Sequence, residues 1–284
     1  MEKVHLIFDP EKCVGCYNCL LACQDEHCGN DWLPYTRAQQ LHGAPWVRTT
    51  RHERGAVPYT EVAFRTEMCR HCENAACEKA FPDAVRRRDD GVVLLDPEKS
   101  RGNRALVDAC PYGAIVWNEE LDTAQKCTMC AHLLDQGWKE PRCVQACPLR
   151  ALSFVRCSDE EFARMTERQG LKPLNTAPAA KPRLVCRNAW KLESVFVAVA
   201  AAEHLPDGTE RAVEGADAVL TLNGEEILSG VTDFFGECKL DRLPKNAGEL
   251  RLEVKKSGYR GVSLPVTVGD GCCDAGVIYL ERDL

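Results

Sequence analysis

The stretch Cys13-Val-Gly-Cys16-Tyr-Asn-Cys19-Leu-Leu-Ala-Cys23 decides the reading of this chain. Its C-x2-C-x2-C-x3-C spacing puts three thiols on one tight loop and a fourth on the helix that the loop enters. Three cysteines within seven residues can wrap three corners of an iron-sulfur cube, whereas a zinc ribbon needs two separated C-x2-C pairs. The fourth thiol of such a run serves a second cube. A complementary run elsewhere must supply the missing corners.

That run is Cys127-Thr-Met-Cys130, followed after twelve residues by Cys143-Val-Gln-Ala-Cys147-Pro148. Crossed sharing of the bacterial-ferredoxin kind assigns Cys13, Cys16, Cys19 and Cys147 to one cluster, A. It assigns Cys23, Cys127, Cys130 and Cys143 to another, B.

An internal repeat extends the pattern to the middle of the chain. A shift of 87 residues lays Phe8–Gly15 on Leu95–Gly102 with five identities in eight positions. Cys13, Cys16 and Cys19 then fall on Ser100, Asn103 and Leu106, while Cys23 falls on Cys110, which Pro111 follows. A shift of 58 lays Cys69-Arg-His-Cys72 on Cys127-Thr-Met-Cys130. With eight extra residues allowed in the later copy, Cys77 matches Cys143, Phe81 matches Cys147 and Pro82 matches Pro148. The losses are complementary. Cys69, Cys72, Cys77 and Cys110 still complete a cluster, C, whereas Ser100, Asn103, Leu106 and Phe81 stand where a fourth would have been held. The expectation is three 4Fe-4S clusters on twelve thiolates. Each adds about two negative charges, which takes the formal charge from -7 to about -13.

The 284 residues are 45% apolar, enough for packed cores in two domains. Lys and Arg number 36 against 43 Asp and Glu, and no basic tract suggests a nucleic-acid partner. The longest apolar run, Val195–Ala202, falls far short of the roughly 20 residues of a spanning helix, so no membrane segment is expected. Of the 18 cysteines, 14 lie in the first 157 residues. A disulfide scaffold belongs to short secreted chains with a signal peptide. Here Met1-Glu-Lys-Val4 opens no apolar h-region and carries no twin arginine, so reduced thiols and a cytoplasmic location are expected. A zinc- or disulfide-stabilised binding module is the competing reading of a different class.

From Ser158 to about Gly170 the acidic stretch SDEEFARMTERQG reads as one exposed helix, capped by Ser158 or Asp159. Leu171–Lys181, with Pro173 and Pro178, reads as a connector. Beyond Glu193 apolar and polar residues alternate in Val195–Val199, Ala218–Leu222, Gly236–Leu240, Glu249–Val254, Val262–Val268 and Gly276–Leu280. Turn residues such as Asn223-Gly224 and Gly269-Asp-Gly271 separate these runs. Thr232-Asp-Phe-Phe-Gly236 and Gly258-Tyr259 make this tail similar to Cna-B or carboxypeptidase-regulatory domains. The fold class is thus α+β: a duplicated ferredoxin-like domain over residues 1–157, a helix and connector over 158–192, and an all-β immunoglobulin/prealbumin-like sandwich over 193–284.

Residues 1 to about 190 resemble the iron-sulfur subunits of the DMSO reductase family of molybdopterin enzymes. The marks are the cysteine runs, Cys110-Pro-Tyr-Gly-Ala114, Lys126-Cys-Thr-Met-Cys130 and Lys181-Pro-Arg-Leu-Val185. Three clusters joined to a β domain are most similar to its transhydroxylase branch, through Cys72-Glu-Asn-Ala75, Trp117-Asn-Glu-Glu120, the run from Gln125 to Asp135, and Phe234-Phe-Gly236. The resemblance implies a large partner subunit that holds molybdenum or tungsten on molybdopterin guanine dinucleotide and works on phenolic substrates, in a heterodimer or larger assembly of an anaerobe. This chain would be the electron conduit, with no catalytic residue of its own. The absence of a G-x-G-x-x-G, P-loop or nucleophile motif agrees. Moving a hydroxyl between phenolic positions involves no net oxidation, so a reductive catechol or pyrogallol dehydroxylase is the alternative within the same family.

Other residues have plainer readings. His71 and His132 adjoin ligands but find every corner already assigned to a thiolate, so hydrogen bonding or surface placement is expected. Cys28 reads as a free thiol, and Cys157, Cys186 and Cys238 as small apolar residues. Adjacent Cys272-Cys273 suit neither a disulfide nor a metal. Arg86-Arg-Arg88 and Asp159-Glu-Glu161 read as solvated surface.

Overall fold

The computed structural model describes residues 2–174, 177 and 179–283; Asn175, Thr176 and Pro178 of the expected connector lie outside the described residues. The protein divides into two compact units, residues 1–51 with 63–189 and residues 52–62 with 190–284.

In the first unit the apolar strand Lys3–Phe8 lies between two partners. It runs antiparallel to Leu152–Cys157, with Leu6 opposite Phe154, and parallel to Leu184–Cys186, with Leu6 opposite Leu184. Residues that read as helix and connector therefore return to the first sheet. The helix Asp159–Gln169 buries Phe162 against Ile7, Leu171 and Val185. Its start carries a capping box: the Glu161 N–H donates to Ser158 Oγ (3.2 Å) and the Ser158 N–H donates to the Glu161 carboxylate (2.9 Å). Gly170, at φ 59°, ends it.

The duplication appears as matching backbone bonds. Val93–Leu95 pairs antiparallel with Val85–Arg87, in the manner of Lys3–Phe8 with Leu152–Cys157. The Asp9 N–H donates to the Ala151 carbonyl (2.8 Å), and the Asp96 N–H donates to that of Ala84 (2.8 Å). Each aspartate then accepts from the N–H two residues on, Glu11 (3.1 Å) or Glu98 (3.0 Å), an Asx turn leading into the loop.

The second unit packs two β-sheets around one apolar core built from Val197, Val199, Leu220, Leu240, Leu252 and Val254, among others. One sheet has the order Glu225–Val231, Asp217–Leu222, Gly248–Lys255, Val262–Val268, all antiparallel. The other centres on Val195–His204, antiparallel to Glu237–Leu243 and Glu210–Ala212 and parallel to Cys273–Tyr279. Four strands here lay outside the sequence reading: Glu210–Ala212, Glu225–Val231, and the pair Tyr259–Arg260 with Glu281–Arg282. So did the hairpin Arg48–Ala56 with Tyr59–Glu67, whose tip belongs to this unit. Arg54 near that tip is buried and forms ion pairs with Asp241 and with Glu61 (3.2 Å).

Candidate metal centres

The cysteine loops turn tightly because several of their residues adopt left-handed backbone. Gly15 sits at φ 67°, and a Cβ there would strike the Phe64 ring, so glycine is required. Tyr17, His71, Met129 and Cys130 share positive φ, at 60°, 45°, 58° and 49°. These turns gather Cys13, Cys16, Cys19 and Cys147 around one pocket, to which Thr49 and Thr66 also contribute. Backbone N–H groups point at sulfur: Met129 donates to Cys127 Sγ (3.3 Å), Ala114 to Cys110 (3.4 Å) and Ala151 to Cys147 (3.2 Å).

The twelve thiols form three neighbourhoods. Burial raises the pKa of Cys13 and Cys19, which also feel Cys147, against hydrogen bonds from the Gly15 N–H and Thr66 to Cys13 and from Thr49 to Cys19. Burial pushes Cys23 and Cys143 well above the usual thiol range, Cys127 up to about 11 and Cys130 up to about 12. Cys127, Cys130 and Cys143 each add to the effect on Cys23. Likewise Cys72 rises to about 12 and Cys77 to about 11, first through burial and then through Cys69 and Cys110. The structure thus brings together the residues of sets A, B and C as groups.

Thiols of different groups also influence one another. Cys19 also raises Cys23 and Cys143, and Cys69 raises Cys127. All four thiols of B are buried, whereas Cys16 of A is exposed and Cys72 and Cys110 of C are half-buried.

The donor chemistry fits a cationic inorganic core. All 18 cysteines are free thiols, and buried thiols without a positive partner stay protonated. A metal core reverses that preference by deprotonating its ligands. Among the described residues no three His, Cys, Asp or Glu converge closely enough for a single metal ion, whereas a cube spreads its thiolates over separate corners.

Where a fourth set would stand, the side chains are ordinary. Leu106 is fully buried in an apolar cluster with Val93, Leu95 and Ile115, against which Phe81 packs. Ser100 is fully buried as well.

His71 accepts from the Val93 N–H through Nδ1 (3.1 Å), and His132 Nε2 meets Glu26 (3.0 Å) while its ring stacks on Trp32. The sequence reading missed His27, whose Nε2 lies 3.9 Å from Cys130 Sγ and whose pKa burial drives down to about 3, with His132 contributing. Its place four residues after Cys23 on one helix face was the available signal. Of the arginine run, Arg86 is exposed as the sequence reading expects, whereas Arg87 and Arg88 are half-buried and paired. Arg86 donates to the Pro34 carbonyl (3.2 Å), Arg87 to that of Cys72 (2.8 Å), and Arg88 pairs with Asp90 and Asp135. Asp159, Glu160 and Glu161 are all exposed, as expected of solvated surface, and Asp159 also pairs with buried Arg183 (2.7 Å). Cys186 and Cys238 are buried, Cys28 and Cys157 are half-buried, and the Phe196 N–H donates to Cys272 Sγ (3.4 Å).

A family profile described as a 4Fe-4S dicluster domain matches residues 60–157. The small subunit of pyrogallol hydroxytransferase from Pelobacter acidigallici is 40% identical over 283 residues, 99% of this chain and 100% of that one. One polypeptide of the anaerobic dimethyl sulfoxide reductase from Escherichia coli is 34% identical over 181 residues, covering 63% of this chain and 85% of the relative. This protein belongs to the iron-sulfur subunits of the DMSO reductase family. One polypeptide of the sulfite dehydrogenase from Allochromatium vinosum is also similar to this iron-sulfur subunit, at 30% identity over 64% of the sequence and 81% of the relative. An iron-sulfur subunit of this family carries 4Fe-4S clusters and transfers electrons within a molybdopterin oxidoreductase. Among the described residues no helix of this one is long and apolar enough to cross a membrane.

Proposed function

We propose that the protein carries three 4Fe-4S clusters and delivers electrons to or from a large molybdopterin subunit that transfers hydroxyl groups on pyrogallol-type phenols. Cys13, Cys16, Cys19 and Cys147 hold cluster A; Cys23, Cys127, Cys130 and Cys143 hold B; Cys69, Cys72, Cys77 and Cys110 hold C. The partner subunit carries molybdenum or tungsten on molybdopterin guanine dinucleotide. The observation that supports this reading most is the sorting of twelve thiols into three groups of four, with Ser100, Asn103, Leu106 and Phe81 at the remaining repeat positions.

When bound, the clusters exchange single electrons. The protein's residues position and shield them. Burial of all four B thiols keeps water from the middle of the path, and the amides of Met129, Ala114 and Ala151 favour the thiolate forms of the sulfurs they face. The second unit is read as an immunoglobulin/prealbumin-like sandwich that serves packing or binding rather than chemistry.

The test is the native complex purified without oxygen. Iron and acid-labile sulfide should each reach about twelve per chain, four per cluster. A value near eight removes site C, and zinc without sulfide favours the binding module. Incubation with pyrogallol then separates two activities. Phloroglucinol formed without reductant supports hydroxyl transfer. Reductant-dependent loss of a hydroxyl supports a dehydroxylase, the reading favoured by an electron path in a subunit whose partner would otherwise do no net redox chemistry.

A further inference from the structure

The second unit carries two aromatic rings on the outside of a tightly built turn. In Asp233-Phe-Phe-Gly236, between the strands Glu225–Val231 and Glu237–Leu243, Phe234 is 74% and Phe235 71% exposed. Asp233 fixes the turn. Its carboxylate accepts from the N–H groups of Phe235 (2.9 Å) and Glu237 (3.0 Å), while its own N–H donates to the Glu237 carbonyl (2.9 Å). Gly236 closes it at φ 77°, where a Cβ would lie 2.4 Å from the Ala201 carbonyl oxygen. The two rings meet edge to face with centroids 5.3 Å apart. The backbone beneath them is thus set before anything binds. Together the rings expose on the order of 300 Å² of carbon, the size of the largest apolar patch on a typical monomer.

The surroundings give this patch a sign. Val197, Val199 and Ala201 of the central strand face the core, so Ala198 and Ala200 face outward, and with them their cross-strand partners Asp274 and Glu237. The hairpin tip lies on that outer face: Gly55 approaches the Phe196 ring, and Glu61 pairs with Lys239. On the same tip Val57 is 90% exposed. Burial raises the pKa of Tyr59 there, and the nearby carboxylates of Glu237, Asp274 and Asp233 raise it further. Among the described residues none of these three carboxylates pairs with a cation, and Lys239 is committed to Glu61 and Asp241. Exposed carbon is rimmed by uncompensated negative charge.

We propose that this acid-rimmed aromatic knob anchors the protein to the large subunit of its complex, through an apolar pocket edged with lysine or arginine on that subunit. Charge decides among the occupants. A second copy placed by two-fold symmetry would bring carboxylate against carboxylate. A membrane leaflet presents anionic headgroups, which the same rim repels. A basic protein surface gains from both parts, because the rings fill its pocket while the rim steers the encounter and fixes the register. The inference rests on the reading of this chain as the smaller member of a complex and not on the number of its clusters.

The experiment measures association of the full chain with the large subunit, both purified without oxygen, and records iron content and denaturation midpoint for every variant. Phe234→Ala combined with Phe235→Ala should weaken the complex about thirtyfold, mostly through faster dissociation. Glu237→Gln combined with Asp274→Asn should slow association and flatten its dependence on salt. Asparagine keeps an oxygen to accept from the Gly276 N–H (2.8 Å), so only charge is lost. Leu222→Ala, also exposed but at the opposite end of the paired strands Asp217–Leu222 and Glu225–Val231, should change neither rate. Unaltered affinity in the double alanine variant, with iron and midpoint intact, overturns the proposal. So does a dimer of this chain alone that the alanine changes dissolve, or flotation with phosphatidylcholine or phosphatidylserine vesicles that they abolish. Should the double alanine variant not fold, the charge-neutralised variant decides the matter. If the unmodified subunits do not associate at all, the reading of this chain as part of such a complex fails, which is a different failure and takes the inference with it.

Discussion

Gly15 and Gly102, 87 residues apart, hold the same left-handed backbone, at φ 67° and 66°. Thiols flank the first; Ser100, Asn103 and Leu106 surround the second. The turn forms with or without thiols because other residues specify it. Asp9 and Asp96 open each loop with the same pair of hydrogen bonds, and glycine supplies the conformation that a Cβ would strain.

A thiol restored at one position of the second loop cannot rebuild a cluster. Phe81→Cys supplies one corner while Ser100, Asn103 and Leu106 remain. Iron per chain should stay at the unmodified value in anaerobically purified protein, and any increase toward sixteen, four more per added cluster, contradicts the repeat alignment.

Leu106 now serves as a core residue, fully buried with Val93, Leu95 and Ile115. Leu106→Ala should cost about 2–5 kcal/mol. Anaerobic chemical denaturation measures the loss. Iron content at native conditions should not change, since this side chain holds no metal.

Some of this was legible in the sequence and some was not, for physical reasons. Cluster ligands recur at short fixed spacings because one loop must reach several corners, so the loops around Cys13, Cys69 and Cys127 stand out without any knowledge of the fold. The helix start at Ser158 is equally local, since the capping box needs only Ser158 and Glu161. The hairpin Arg48–Ala56 with Tyr59–Glu67 escaped notice because its strands are rich in arginine and glutamate and the charge of Arg54 is met by Asp241, 187 residues away. The strand Glu225–Val231 is mostly exposed at a sheet edge, and its Glu-Glu-Ile-Leu-Ser-Gly-Val sequence does not alternate cleanly. Lys126 stands out in the sequence only as part of a motif; that its buried ammonium bonds to the carbonyls of Val93 and Cys127 is a property of the packed protein.

The capping box predicts a local effect. Ser158→Ala removes the oxygen that accepts from Glu161 N–H and should destabilise the helix Asp159–Gln169 by about 1 kcal/mol. Amide hydrogen exchange should quicken in the first turn of that helix. Unaltered protection there would show that packing of Phe162 alone fixes it.

Stability should also depend on pH through His5. Burial, with Arg183 adding to it, lowers its pKa to about 4 from 6.5, and the ring stacks on Phe162 at 3.7 Å. The folded state therefore disfavours the protonated ring, so this contribution is intact above pH 6.5 and is lost as the pH falls toward 4. Between pH 7.5 and 5.5 the unmodified protein should lose about 1 kcal/mol more than His5→Phe, read as the difference in denaturation midpoints.

The hydrocarbon packed around Leu106 has a chemical corollary. Each single step back toward a metal berth would trade a well-fitted carbon side chain for a lone sulfur in a void or an unpartnered polar group, before any iron could compensate. An interior filled this way admits a metal centre only if all four of Ser100, Asn103, Leu106 and Phe81 change together.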